Sequence, residues 1–145
     1  VRPMGRTAHG VRGIALEEGN EVIGMETITP DSTTQILTVT EGGYGKRTPV
    51  NEYRIQGRGG KGIISVKTNE RNGLAVGFLQ VRDGDEIMLM AAHGKVLRCK
   101  VDEFREIGRN TQGVRILDLD GEGDRVVAVA RLAEAVEVLP EEGSL

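Results

Sequence analysis

Gly5-Arg6-Thr7-Ala8-His9-Gly10-Val11-Arg12 and Gly108-Arg109-Asn110-Thr111-Gln112-Gly113-Val114-Arg115 share the frame Gly-Arg-x-x-x-Gly-Val-Arg. Gly57-Arg58-Gly59-Gly60-Lys61-Gly62-Ile63-Ile64 stands between them, at spacings of 52 and 51 residues. Each copy leads into an apolar run, a polar turn and a second apolar run: Val22-Ile23-Gly24-Met25, Ala75-Val76-Gly77-Phe78 and Val126-Val127-Ala128-Val129. Another marker, Gly45-Lys46 and Gly94-Lys95, follows Ile36-Leu37-Thr38-Val39 and Ile87-Met88-Leu89-Met90. The first repeat lacks this half, so the sequence opens mid-repeat.

The runs are short, rich in Val and Ile, and punctuated by Gly-Gly, Asn-Gly and Asp-Gly, which favours strands over helices. The pattern predicts strands near 11–16, 21–28, 35–40, 46–50, 62–67, 74–81, 86–91, 95–101, 114–118 and 125–132, and one helical turn within Lys100–Ile107. Two, four and four strands in repeats of about fifty residues point to an all-β, propeller-like fold of about two and a half four-stranded blades. The expected division is a partial blade over 1–33, complete blades over 34–82 and 83–132, and an acidic, disordered tail over 133–145.

The 145 residues carry 19 Lys plus Arg against 22 Asp plus Glu, a net charge of −3 that by itself argues against a nucleic-acid partner. The distribution says otherwise. Residues 1–13 carry +3, 14–43 carry −6, 44–71 carry +5, 72–93 carry −2, 94–115 carry +3 and 116–145 carry −6. If the period is structural, basic blocks gather on one side and acidic blocks on another. A single Cys99 forms no internal disulfide and suits a reducing compartment, hence a cytoplasmic site of action. No apolar run is long enough to span a bilayer, and Val1-Arg2-Pro3-Met4-Gly5 is no signal peptide, so no membrane partner is expected; lacking an initiator Met, the chain reads as part of something longer.

Enzyme motifs fail on inspection. Gly57-x-Gly59-x-x-Gly62 matches a dinucleotide fingerprint in spacing, but the strand-like Ile63-Ile64-Ser65-Val66 follows where a helix must begin. Gly45-Lys46 is no phosphate loop: Thr40 stands where Gly is needed and Arg47 where Ser or Thr must meet magnesium. His9, His93 and Cys99 make no metal set, so neither metal nor cofactor is expected. What remains is a series of Gly-rich turns whose backbone N–H groups and projecting Arg and Lys side chains suit phosphate oxygens. The candidate phosphate contacts are Arg6, Arg12, Lys46, Arg47, Arg58, Lys61, Arg71, Lys95, Arg98, Arg109 and Arg115. With 2 Tyr, 2 Phe and no Trp, base stacking on single strands is disfavoured.

Val1-Arg2-Pro3-Met4-Gly5, Gly10-Val11-Arg12-Gly13-Ile14, Gly43-Tyr44-Gly45-Lys46-Arg47-Thr48, Thr68-Asn69-Glu70-Arg71-Asn72-Gly73 and Gly108-Arg109-Asn110-Thr111-Gln112-Gly113-Val114 together resemble the C-terminal domain of the DNA gyrase A protein. The resemblance runs from Val1 to about Glu134 and matches the C-terminal half of that domain. It implies a six-bladed β-pinwheel whose blades exchange strands with their neighbours. It also implies a basic rim that wraps duplex DNA with positive handedness, in support of ATP-dependent negative supercoiling. The implied partners are duplex DNA, the gyrase B protein, and the remainder of gyrase A, in an assembly of two of each protein. The catalytic tyrosine, the ATPase and the use of ATP and magnesium would lie elsewhere in that assembly. Gln56-Gly57-Arg58-Gly59-Gly60-Lys61-Gly62 resembles the family's wrapping box but has Gly57 where the second residue should be basic, and so reads as a degenerate copy. Two rivals stay open: the related A-type protein of topoisomerase IV, and a propeller used only as a protein-interaction platform. Open sheet edges would also let the chain pair with another copy of itself.

Overall fold

The computed structural model describes residues 1–29 and 33–132. The expected tail over 133–145 lies outside the described residues. The organising unit is a β-hairpin used twice. β1 (Gln35–Thr40) turns through Glu41-Gly42-Gly43 into β2 (Tyr44–Pro49), with Ile36 opposite Thr48 and Thr38 opposite Lys46. Gly43 has φ +78°, and a Cβ there would lie 2.3 Å from the Leu117 carbonyl oxygen, so only glycine fits this turn. β3 (Ala75–Val81) pairs with the other side of β1, with a bulge between Val39 and Thr40.

The second hairpin repeats the first 51 residues later. β4 (Glu86–Ala91) and β5 (Val96–Lys100) flank a turn at Gly94, φ +92°, and β7 (Val126–Arg131) pairs with β4 across a bulge between Met90 and Ala91. A short 3₁₀ turn closes each hairpin, at Val50–Glu52 and Val101–Glu103. The register corrects one sequence pairing: Gly43-Tyr44 corresponds to Gly94-Lys95, so Lys46 corresponds to Leu97 rather than to Lys95.

Sheet order is β3-β1-β2-β6 in the first blade, where β6 (Val114–Arg115) comes from the following repeat, and β5-β4-β7 in the second. Blade edges therefore do not follow repeat edges, and among the described residues the second blade shows the three strands β5, β4 and β7. The strands expected at 11–16, 21–28 and 62–67 do not form; what remains of them in pairing is one bridge, Ile14 to Gly60. The runs that do form strands have a hairpin to join: β3 and β7 each join a hairpin strand that begins 40 residues earlier, and β6 joins one that begins 70 earlier. Among the described residues 21–28 and 62–67 have no hairpin strand at those distances.

The core lies between the two sheets. Leu37, Val39 and Val81 meet Ile87, Leu89, Val101, Phe104, Leu117 and Val126, all fully or almost fully buried. Two glycines allow close approach: a Cβ at Gly45 would be 2.5 Å from the Phe104 ring, and one at Gly77 would be 2.0 Å from a Val129 methyl. Cys99 is buried, and burial pushes its thiol up to about 11, which leaves it inert.

Candidate nucleic-acid interface

The outer edge of β2 organises the basic turns. Residues 104–107 run along it: Arg47 N–H donates to the Arg105 carbonyl, Ile107 N–H donates to the Arg47 carbonyl, and the Thr48 hydroxyl donates to the Ile107 carbonyl. The chain then turns through Gly108–Gly113 and returns as β6 against Tyr44 and Gly45. Gly113 has φ +81°, as Gly62 (+79°) and Gly10 (+82°) have at the corresponding places. The three turns also stack in the same way. Lys67 N–H donates to the Thr111 carbonyl, and one repeat earlier Ala15 N–H donates to the Gly60 carbonyl, both at 2.9 Å. The repeat read in the sequence is thus a repeat of backbone geometry.

The predicted basic residues divide into distinct groups. Arg6, Arg12 and Arg58 are exposed and make no side-chain hydrogen bond or ion pair among the described residues. Lys61 is 82% exposed, with its ammonium 3.7 Å from Glu17. Arg71 and Arg115 are exposed at their tips and held over the buried Tyr44 ring, at 5.6 and 5.5 Å from its centroid. Arg115 also donates to the Tyr44 hydroxyl and lies 3.5 Å from Asp118, and both interactions raise its pKa above the ordinary arginine value. Beside this stack opens a cleft of about 480 Å³ that includes Arg71, Arg115, Arg125 and Asp124. Arg109 is half-buried and donates to the Ile64 carbonyl at 2.6 Å.

Four candidates sit differently from the sequence expectation. Lys46 is fully buried, its ammonium bonded to the Gly108, Arg109 and Thr111 carbonyls and the Thr111 hydroxyl. Arg47 is 11% exposed and is held by Asp83, Gln35 and the Phe104 carbonyl. Lys95 donates to the Asp118 carbonyl and to Asp120, and Arg98 pairs with Glu86. These bases already have partners: acidic loops hold Arg47 and Lys95, a glutamate on the neighbouring strand β4 holds Arg98, and turn carbonyls hold Lys46. The expected separation of basic and acidic blocks onto two faces is accordingly broken by Lys61–Glu17, Arg47–Asp83 and Lys95–Asp120.

The degenerate box, Gln56 to Gly62, is a turn packed on residues 12–15: Gly59 N–H donates to the Gly13 carbonyl at 2.8 Å, with Gly59 at φ +73°. Gly60 carries the bridge, and Arg58 and Lys61 beside it are exposed. Nothing lies within 4 Å of the place a side chain would occupy at Gly57. One set of bases escapes the Gly-Arg frame. Arg2, Arg54 and Arg105 each stand four residues before Arg6, Arg58 and Arg109, are exposed, and have no side-chain partner among the described residues. The 52- and 51-residue spacing alone is enough to find them.

Recurrent hairpins, exchanged edge strands and a Gly-Arg turn in every repeat define a propeller-type repeat module with no enzyme motif in its sequence. A family model for the DNA gyrase C-terminal domain, beta-propeller, matches residues 1–29, 34–82 and 85–133, and the chain belongs to that family. It is 46% identical over 134 residues to the DNA gyrase A protein of Pseudomonas aeruginosa, a match covering 92% of this chain and 14% of that protein. It is 44% identical over 137 residues to the DNA gyrase A protein of Staphylococcus aureus, covering 94% of this chain and 15% of that protein. The chain therefore spans about one-seventh of these relatives. Among solved structures it is similar to a DNA gyrase A C-terminal domain (TM-score 0.78, 30% identity), covering 92% of this chain and 44% of that one. It is also similar to the C-terminal domain of DNA topoisomerase IV (TM-score 0.75, 26% identity), covering 84% of this chain and 38% of that one. Among the described residues no helix is long and apolar enough to cross a membrane.

Proposed function

We propose that this chain is part of the DNA-wrapping module of a gyrase A protein, and that it holds duplex DNA, without regard to sequence, on the Gly-Arg turns of successive repeats. The observation that carries this reading is the recurrence of exposed arginines at Arg2/Arg6 and Arg54/Arg58, with Arg105/Arg109 at the same spacing, on turns with the same glycine geometry. Such turns contact phosphate and offer no helix to read base edges. Wrapping requires bending, and bending 20–30 bp by 40–90° costs roughly 1–6 kcal/mol. Several neutralised phosphates must offset that cost, which suits a recurrent site better than a single one. Strand passage, the catalytic tyrosine and the ATPase with its magnesium belong, on this reading, to the gyrase B protein and to the rest of gyrase A. The module itself needs no cofactor and works on the nucleoid in the cytoplasm. Identities of 44–46% to gyrase A proteins favour gyrase over topoisomerase IV.

The test is duplex affinity measured against salt concentration. Each phosphate contact contributes ~0.9 to the log–log slope. Arg6→Ala and Arg58→Ala are each expected to lower the slope by about that amount, uniformly across DNA sequences. A slope near zero in the unaltered protein would refute the reading.

A further inference from the structure

We propose that Lys46 is a positioning residue for DNA: an internal latch through which one repeat fixes the basic turn of the next and aims Arg109 at the duplex. The inference rests on the DNA-contact reading above and assigns Lys46 a role other than direct contact. Its side chain leaves the middle of β2, which belongs to one repeat, and ends inside the Gly108–Gly113 turn of the following repeat. There the ammonium donates to the Gly108 carbonyl at 2.8 Å, to the Thr111 carbonyl at 3.2 Å, to the Thr111 hydroxyl at 3.1 Å and to the Arg109 carbonyl. The Thr111 hydroxyl in turn donates to the Gly108 carbonyl at 2.9 Å, which closes the turn on itself.

Carbonyls at the inside of a tight turn repel one another, and a buried cation among them removes that repulsion and fixes their directions. The outside of the turn is held too. Glu52 accepts the Arg109 N–H at 3.1 Å, and Gly113 lies so close to the Gly45 carbonyl that a Cβ there would be 2.9 Å from its oxygen. The groups facing the ammonium electrostatically are Glu52, which favours its charge, and Arg109, which opposes it. A backbone clamped on both sides leaves Arg109 with a defined exit. One of its five N–H donors goes to the Ile64 carbonyl, and the others remain for phosphate.

The second repeat supplies an internal comparison. Its residue at the Lys46 place is Leu97, which packs against the apolar core. A β2 strand is thus compatible with leucine here, so the lysine is not demanded by the hairpin itself. On β2 the lysine meets a turn seated on the strand's outer edge, and that turn supplies all four of its acceptors.

The experiment uses that difference. Lys46→Leu, Arg109→Ala and the double variant are made in the full-length protein, their folding is checked by thermal melting, and each is titrated with duplex DNA against salt. Arg109→Ala is expected to lower the log–log slope by ~0.9, about eightfold in affinity at 0.1 M salt. Lys46→Leu is expected to lower affinity by part of that factor in the unaltered background and by nothing further beside Arg109→Ala. Thr111→Val, which removes one of four acceptors and leaves the lysine in place, moves in the same direction by less, and serves if Lys46→Leu does not fold. Equal losses from Lys46→Leu with and without Arg109 would overturn the latch while leaving DNA binding intact, as would no loss at all. A zero slope in the unaltered full-length protein overturns both readings.

Discussion

Lys46 and Gly57 show how far one residue's chemistry can depart from its neighbours in sequence. Both lie in basic, Gly-rich stretches, yet one is fully buried and the other has open space where a side chain would sit. Burial lowers the Lys46 pKa from 10.5 to about 8. Between those values the unfolded chain holds a proton that the folded chain has released, so folding stability due to Lys46 rises with pH there. Below pH 8 the charged form is present in both states and the cost of burying it is borne in full. Compared with Lys46→Met, the unaltered protein is expected to gain stability from pH 8 to 10, measured by denaturant unfolding at each pH. Taking the difference between the two proteins removes Cys99, whose raised pKa acts in the opposite sense above pH 9. At Gly57 the expectation concerns binding. Gly57→Arg restores the basic second position of the wrapping box without steric conflict and should steepen the salt slope by ~0.9. An unchanged slope would mean that this turn does not face DNA.

At the level of elements, the hairpins were legible because two signals coincide: short apolar runs over Ile36–Val39 and Ile87–Met90, and glycine turns directly after them, where Gly43 and Gly94 take positive φ. β6 was legible only as part of a longer strand over 114–118. Its pairing with a strand 70 residues earlier leaves no local trace, since partner choice is set by the fold and not by the run itself. The inward direction of Lys46 was hidden for a related reason. β2 is buried at four of its six residues, Lys46 included, and residues 104–115, which cover its edge, belong to another repeat. The exposed turn arginines could be read as exposed because Gly-rich turns place them outward without help from tertiary pairing. Gly45 marks the joint between the two repeats, where the Phe104 ring fills the space above it. Gly45→Ala drives a methyl into that ring and is expected to cost about 1–3 kcal/mol, measured by chemical denaturation. A change below a few tenths would show that Phe104 can move aside without loss.

For the molecule as a whole, the deciding feature is the contrast between residues 11–28 and the two hairpin blades. Val11, Ile14, Leu16, Val22, Ile23, Met25 and Ile28 are all exposed, while the same kinds of residue in β3 and β7 pack against the core. The difference lies in their partners and not in their composition: among the described residues the strand-like run over 21–28 has no hairpin at the spacing that β3 and β7 use. Val96 on β5 is exposed as well, and among the described residues β5 pairs only with β4. Unpaired backbone beside apolar side chains invites edge-to-edge pairing, and a net charge of −3 supplies little repulsion against it. The chain by itself is therefore expected to associate with rising concentration, as read by light scattering. Ile23→Lys combined with Met25→Lys places two charges on the exposed run and should shift the chain towards monomer, while the melting of the β1–β7 core stays within the effect of ordinary surface changes. Unaltered protein that stays monomeric at every concentration would show that residues 11–28 cover their own apolar groups in solution. Association that ignores the two lysines would place the contact at β5 instead, where Val96→Lys tests it.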